Sequence, residues 1–211
     1  MPMSETSSKK RKLSLPLVLA GSVSSLVLAL GMSPTFSAFT AQITNDTNNT
    51  SAGTLVMEES TTVGSLTTTC KSTDGGNVSS NAATCSTINK YGGANLAPGG
   101  TTTTTVIIKN SGNLTPASFS LTPGSCTQTG TVSGSAADIC TKMTLILKQD
   151  DGTTPIYSGS LLAFSGAKPL TTVAPEDTST FTFQITFGDA TLGNTYQGLT
   201  ANQTLIWKFQ S

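Results

Sequence analysis

Residues 180–187 alternate between apolar and polar side chains without interruption. The odd-numbered positions hold three phenylalanines and an isoleucine, and the even-numbered positions hold threonine or glutamine. Side chains of a β-strand point alternately to opposite faces, so a period of two gathers the apolar residues on one face. The stretch therefore predicts a half-buried β-strand, which must pack against another layer of the protein.

The same alternation recurs in shorter runs along the chain. The residues expected on the buried faces of these runs are Leu55, Met57, Phe119, Leu121, Met143, Leu145, Leu147, Leu205, Trp207 and Phe209. Residues 103–109 contain three consecutive aliphatic residues, Val106, Ile107 and Ile108, and predict a strand buried on at least one face. After residue 40, only a short helical turn at residues 161–164 is expected besides strands, so the predicted fold is all-β.

Turn residues separate these runs. Residues 111–113 (Ser-Gly-Asn) lie between the predicted strands 103–110 and 114–121, and residues 150–152 (Asp-Asp-Gly) lie between 142–149 and 154–158. Both connections predict β-hairpins, because glycine next to asparagine or aspartate favours a tight turn. Short strands with frequent turns are typical of one β-sandwich domain. We therefore expect a single jelly-roll-like β-sandwich over residues 54–211.

The N-terminal region has the pattern of an export signal. A basic run at residues 9–12 precedes an apolar stretch over residues 13–32, and small residues follow it. This order is typical of a secretory signal peptide, here residues 1–38, with cleavage after Ala38 leaving Phe39 first. Cleavage after Ser37 is the alternative. The stretch also approaches the roughly 20 residues of a membrane-spanning helix, so a retained anchor is a second interpretation, although serine, proline and glycine dilute it.

Without residues 1–38 the chain carries seven lysines, ten acidic residues, no arginine and no histidine, a net charge near −3. Binding to nucleic acid depends largely on neutralising phosphates with basic side chains. A weakly acidic chain without arginine is therefore not expected to bind nucleic acid, and basic patches for a lipid surface are lacking as well.

All four cysteines follow the predicted signal peptide. An even number of cysteines in an exported chain indicates two disulfides, with three possible connectivities. We favour the local pairing Cys70–Cys85 and Cys126–Cys140, in which each bond closes a loop of about 15 residues. A zinc site formed by all four cysteines is the alternative, but the sequence has no Cys-x-x-Cys pair.

Several short motifs follow one another along the chain. They are the small residues before Phe39, Ala-Gly-Thr-Leu at 52–55, Leu-Ala-Pro-Gly at 96–99, Lys-Asn-Ser-Gly-Asn-Leu at 109–114, and Tyr-Gln-Gly at 196–198. In this order they resemble the TasA/camelysin family of exported matrix proteins of Gram-positive bacteria. The chain differs from the better-known members in its four cysteines and in the region 70–85, which looks like an insertion.

The resemblance implies a secreted jelly-roll subunit of extracellular biofilm fibres, exported through a dedicated signal peptidase. In such fibres the mature N-terminus of one subunit inserts into the next by donor-strand exchange. The expected partners are further copies of the chain in a head-to-tail filament, the signal peptidase, and other matrix or cell-wall components. The alternative function is a monomeric surface-associated adhesive domain, or an accessory domain that anchors fibres.

The predicted extended segment 39–53 fits a donor strand. Phe39, Ala41 and Ile43 alternate with polar residues, so in extended backbone they form one apolar face. Such a segment can complete the sheet of a neighbour, and a head-to-tail contact that does not close gives a filament. The alternative is that the same residues form the first strand of their own domain.

Enzymatic chemistry is not expected. The absence of histidine excludes His-Glu-x-x-His zinc sites and Ser-His-Asp triads. The adjacent carboxylates at 58–59, 150–151 and 176–177 are interpreted as turns or strand ends, with a calcium-binding loop as the alternative. The sequence therefore predicts neither catalytic residues nor a bound metal or cofactor.

Overall fold

The computed structural model describes residues 52–76, 81–93, 95–130, 136–189, 191–192 and 194–211. They belong to a compact unit that spans Ser51–Ser211. The predicted signal peptide and the proposed donor residues Phe39, Ala41 and Ile43 lie outside the described residues.

The described chain is built almost entirely from β-strands. In chain order the strands are β1 Met57–Val63, β2 Leu66–Lys71, β3 Thr101–Asn110, β4 Ser118–Pro123, β5 Thr127–Thr129, β6 Met143–Gln149, β7 Tyr157–Ser160, β8 Lys168–Leu170, β9 Thr178–Phe187, β10 Thr200–Asn202 and β11 Leu205–Gln210. One short helix, α1, spans Ile139–Lys142, and a single 3-10 turn spans Asn194–Tyr196.

The strands form two main sheets around a shared core. Six strands are ordered β2-β1-β3-β9-β6-β7 and three are ordered β11-β4-β8, while β10 and β5 form a separate pair. Neighbouring strands are antiparallel throughout. Val106 and Phe181 from the large sheet pack in one cluster with Phe119 and Leu121 from the small sheet. The predicted all-β sandwich is confirmed, and the jelly-roll topology stays a prediction.

The alternation patterns place the core correctly. In β9 the four apolar residues predicted to face inward, which are Phe181, Phe183, Ile185 and Phe187, are all buried. In β3, Val106 and Ile108 are fully buried, whereas Ile107 between them is exposed on the outer face. The period of two therefore locates the inner face of the large sheet.

One of the two predicted hairpins is wrong. Residues 150–152 connect β6 to β7 in an antiparallel pair, as predicted. Residues 111–113 do not connect a hairpin, because β3 pairs with β1 and β9 whereas β4 pairs with β11 and β8. The chain crosses here from one sheet to the other.

The buried side chain of Asn110 explains this crossing. Its Nδ2 donates hydrogen bonds to the carbonyl oxygens of Leu114 at 2.8 Å and Val173 at 2.9 Å, and its Oδ1 accepts one from the Gly112 amide at 3.0 Å. These bonds satisfy backbone groups that strand pairing would otherwise satisfy. The backbone is thereby turned out of the large sheet after β3.

Three details of the first two strands also differ from expectation. Strand β1 starts at Met57, because residues 54–56 run beside residues 111–114 instead, joined by bonds such as the Ser111 amide to the Val56 carbonyl at 2.8 Å. Glu58 and Glu59 lie within β1, so their interpretation as a turn or strand end is wrong. Strand β2 was not predicted, since its threonine-rich sequence has no apolar alternation.

Both disulfides join the cysteines that lie close in sequence. Cys70 is bonded to Cys85, and Cys126 is bonded to Cys140. The second bond ties the segment before β5 to the short helix α1, where Cys140 is buried. Two disulfides indicate folding in an oxidising compartment.

Replacing both Cys126 and Cys140 with alanine should lower the free energy of unfolding by about 3 kcal/mol. The bond spans 14 residues, and in the chain-entropy model its removal frees that loop in the unfolded chain. Urea unfolding followed by circular dichroism measures the change. The matched control replaces Cys70 and Cys85, whose loop of 15 residues should give a similar loss. A negligible loss in the first variant would contradict the prediction.

Candidate functional site

The last strand of the small sheet has one unpaired edge. Strand β11 pairs with β4 over Leu205 to Gln210, and among the described residues no strand pairs with its other edge. Every second residue of an antiparallel strand directs its N–H and C=O away from the paired neighbour. The free edge of β11 therefore presents backbone donors and acceptors that another strand can use.

A long cleft follows this edge. It is lined by β11 on one side and by β1, the end of β2 and residues from 81–93 and 95–98 on the other. The cleft is lined by residues of β11 that face inward, such as Trp207, and also by residues that face outward, such as Ile206 and Lys208. Since residues from both faces of the strand border the same space, the cleft runs along the strand edge.

The size of the cleft distinguishes it from a small-molecule site. Its volume is about 1750 Å³, whereas small-molecule pockets usually measure roughly 300–1,000 Å³. Leu205, Trp207 and Phe209 line it from β11, and Met57 and Ile88 line it from the opposite side. All five pack against or within the core. The cleft is thus an elongated opening into the sandwich core.

A buried ion pair and a tryptophan bridge the two sides of the cleft. Lys90 Nζ lies 2.6 Å from Glu59 Oε1, and each side chain is only 9% exposed. Trp207 Nε1 donates a hydrogen bond to the same oxygen at 3.1 Å. Because Glu59 belongs to β1 and Trp207 to β11, this trio connects the two sheets where no backbone hydrogen bonds do so.

A second polar contact anchors residues 89–93 beside the cleft. The Tyr91 hydroxyl donates to Gln203 Oε1 at 2.8 Å, and Gln203 Nε2 donates to the carbonyl oxygens of Gly124 and Phe164 at 2.7 and 2.8 Å. Burial raises the pKa of Tyr91, and nearby Tyr157 adds to the shift. The hydroxyl therefore stays protonated and keeps donating well into the alkaline range.

Tyr196, which also lines the cleft, has its own polar partner. Its hydroxyl donates to Asp138 Oδ1 at 2.8 Å. This hydrogen bond raises the pKa of Tyr196, with smaller contributions from burial and from the charge of Asp138. The contact ties the 3-10 turn to the residue that precedes α1.

The structure relates the predicted site residues to the cleft as follows. Cys70 and Cys85 line it, and their disulfide ties residues 81–93 to β2. Cys126 is bonded instead to Cys140 within α1. Ala38, Phe39, Ala41 and Ile43 lie outside the described residues.

Sequence reasoning missed the pairing of Glu59 with Lys90 and Trp207. One signal was available: Glu59 shares the strand parity of Met57, which was predicted to face inward, so alternation in β1 places a carboxylate toward the core. In a chain with few charges, an inward carboxylate requires a partner. The partner itself follows no motif, because Lys90 lies in an irregular segment and Trp207 is 148 residues away.

Within the described parts of the chain, no cluster of three or more histidine, cysteine, aspartate or glutamate side chains is arranged to hold a metal ion. None of the helices described is long and apolar enough to cross a membrane. Comparison with protein-family models and with curated proteins finds no match to this chain.

Proposed function

We propose that this protein is a secreted subunit of extracellular matrix fibres, which assemble when the mature N-terminal segment of one subunit inserts as a strand into the next. The observation that carries the proposal is the unpaired edge of β11 along a cleft into which the apolar side chains of that strand project. The subunit is a jelly-roll sandwich of the kind that the TasA/camelysin resemblance implies, and export removes residues 1–38.

The edge of β11 supports an acceptor role because it offers both components of strand addition. Unpaired backbone groups supply hydrogen bonds, and the adjacent cleft accepts alternate side chains of the incoming strand. Trp207, Leu205 and Phe209 provide an apolar surface inside that cleft. A strand with one apolar and one polar face matches this surface.

The segment 39–50 supports a donor role. Phe39, Ala41 and Ile43 share one face in extended backbone, and Thr40, Gln42 and Thr44 share the other. Donation by each subunit to the next is a head-to-tail contact, which propagates as a filament when it does not close into a ring. The two disulfides support assembly in an oxidising, extracellular setting.

Replacing Ile43 with aspartate in the full-length chain should abolish filaments. A carboxylate on the apolar face of the donor would have to pack against the apolar side chains of Leu205, Trp207 and Phe209, which is unfavourable. The chain is produced in a Gram-positive host that exports it, and filaments are examined by negative-stain electron microscopy. The unchanged chain should form filaments, and Ile43→Asp should remain monomeric.

The matched control for this experiment is Thr44→Asp. It introduces the same charge one residue later, on the opposite face of the extended segment, and should leave filaments intact. Equal loss in both variants would show that charge, not the apolar face, controls assembly. Monomers from the unchanged chain at high concentration would contradict self-assembly altogether.

One feature favours the second candidate function, an adhesive or fibre-anchoring domain. Val63 and Leu66 oppose each other at the tip of the β1–β2 hairpin, and they are 75% and 72% exposed. Apolar side chains grouped at a hairpin tip are suited to contact with a partner. If the exported chain stays monomeric, this hairpin tip becomes the first surface to alter by mutation.

A further inference from the structure

An irregular segment covers the first two strands of the large sheet. Residues 85–93, which we call the strap, consist of irregular backbone that ends in a turn. Cys85 is bonded to Cys70 of β2, and Lys90 Nζ lies 2.6 Å from Glu59 Oε1 of β1. Cys70 and Glu59 are opposite each other in the register of the two strands, so their side chains share one face. The strap therefore lies over that face.

That face is the inner one, and the strap lies in the layer of the small sheet. Trp207 of β11 donates a hydrogen bond to Glu59 of β1 at 3.1 Å, whereas Phe119 of β4 packs on Phe181 of β9. From β4 to β11 the small sheet thus runs toward β1, and in the large sheet β2 follows β1. A further strand paired with the free edge of β11 would therefore lie over β1 and β2, where the strap lies.

Side chains, and not a ladder of backbone hydrogen bonds, hold the strap in this place. Among the described residues, no backbone group of the strap is hydrogen-bonded to the backbone of a strand. Besides the disulfide, three contacts hold it, which are the Lys90–Glu59 pair, the burial of Ile88 and the hydrogen bond from Tyr91 to Gln203. Segments with few backbone hydrogen bonds open locally at a fraction of the free energy of global unfolding.

The two ends of the strap differ in their freedom to move. The disulfide at Cys85 fixes the first end to β2. At the second end, Gly92 and Gly93 have φ angles of +80° and +62°, a region that glycine adopts without steric cost. Hinges are usually a few loop residues that absorb a change of backbone angles. The residues between these ends can therefore swing away from β11 while the strap stays attached to β2.

We infer that the strap is a gate, which covers the free edge of β11 in the single subunit and swings aside when a strand of a neighbouring subunit is added. This inference rests on the proposed function, which supplies the incoming strand. That strand forms backbone hydrogen bonds with β11, which the strap does not, and it therefore displaces the side-chain contacts of the strap. A covered edge also protects the subunit from unspecific strand pairing before assembly.

The buried ion pair suits a contact that has to open. Burial removes the hydration of both charges, so such a pair is often no more stabilising than apolar residues of the same volume. When the strap swings aside, Lys90 regains water, and Glu59 keeps its hydrogen bond from Trp207. Lys90 is the one buried lysine among the described residues. Its accessibility therefore reports whether the gate is open.

The test is acetylation of lysine side chains by an N-hydroxysuccinimide ester, measured by mass spectrometry of the digested protein. Monomers and filaments of the unchanged exported chain are separated by centrifugation and labelled alike. Lys90 should react several-fold faster in filaments, whereas Lys71, which is also ion-paired but half exposed, should react at similar rates in both. Filaments in which Lys90 stays as shielded as in the monomer overturn the gate but leave the proposed function standing. The absence of filaments overturns both.

Two tyrosine variants test what holds the gate closed. Tyr91→Phe removes only the hydroxyl that reaches Gln203, so the strap should open about fivefold more often, as expected for one lost hydrogen bond. Acetylation of Lys90 in the monomer and filament growth, followed by light scattering, should both rise accordingly. The matched control, Tyr196→Phe, removes a hydroxyl that also lines the cleft but binds Asp138, outside the strap, and should change neither rate. Equal rates in Tyr91→Phe and the unchanged chain, or equal acceleration in both variants, overturn the gate.

Discussion

Replacing Lys90 with methionine should lower the free energy of unfolding by about 3–5 kcal/mol, because it leaves the Glu59 carboxylate buried without a cation. Methionine has nearly the same length as lysine, so the loss reflects charge more than packing. The remaining partner of Glu59 Oε1 is the Trp207 N–H, which offsets only part of the cost. Urea unfolding followed by circular dichroism measures the change, and the fluorescence of Trp207, the only tryptophan in the chain, reports the site directly.

A second change should reverse most of this loss. In the double variant Lys90→Met with Glu59→Gln, the buried charge is gone, and the amide oxygen of the new glutamine can still accept from Trp207. Removing both members of a buried ion pair is often close to neutral. The double variant should therefore be clearly more stable than Lys90→Met alone.

The matched control is Lys71→Met. Lys71 of β2 pairs with Glu58 of β1 at 3.2 Å, and its side chain is half exposed. Exposed ion pairs contribute roughly 0–1 kcal/mol. A loss in Lys90→Met no larger than in Lys71→Met would mean that water reaches the Glu59 carboxylate and replaces the lysine as its partner.

Local alternation was enough to place the strand residues of the core. Phe183 and Ile185 in β9, and Leu145 in β6, follow a period of two because one face of each strand is buried and the other is not. The fold class follows from such patterns, since every strong periodic run is a strand. Strand β2 escaped prediction because it lies at the edge of the large sheet, where neither face needs an apolar row.

The pairing of strands could not be predicted from local alternation. Residues 111–113 have good turn chemistry, but turn chemistry does not determine which sheet the following strand joins. Here the side chain of Asn110 directs the chain to the small sheet, through hydrogen bonds to the carbonyl oxygens of Leu114 and of Val173, which is 63 residues away. A contact of this separation leaves no local signature in the sequence.

The cleft was equally beyond sequence reasoning. It exists because β11 ends the small sheet beside β1, and strand order is a property of the whole topology. The proposed donor segment could be named from the sequence because its pattern is local: apolar residues alternate with polar ones next to a predicted cleavage site. The contacts of Glu59 with Lys90 and Trp207 join three distant segments, so only the folded arrangement reveals them.

Replacing Phe181 with alanine should cost about 3–5 kcal/mol, the usual range for a large aromatic side chain in a closed core. Phe181 is fully buried in β9. Its ring lies edge-on to Phe119 of β4 with centroids 5.7 Å apart, and 4.6 Å from the ring of Trp207 in β11. It therefore connects the large sheet to β4 and β11 of the small sheet, and β11 lines the cleft. Urea unfolding gives the loss of stability.

Thr182→Ala is the control for Phe181→Ala, since it truncates the next residue of the same strand on the outer face, where little core packing is lost. Its effect should stay within about 0.5 kcal/mol, as is usual for surface substitutions. A loss for Phe181→Ala as small as the control would mean that neighbouring rings collapse into the space. The two sheets would then be held by a more adaptable core than the packing around Phe119 implies, and Trp207 would lose the support that fixes Glu59 beside Lys90.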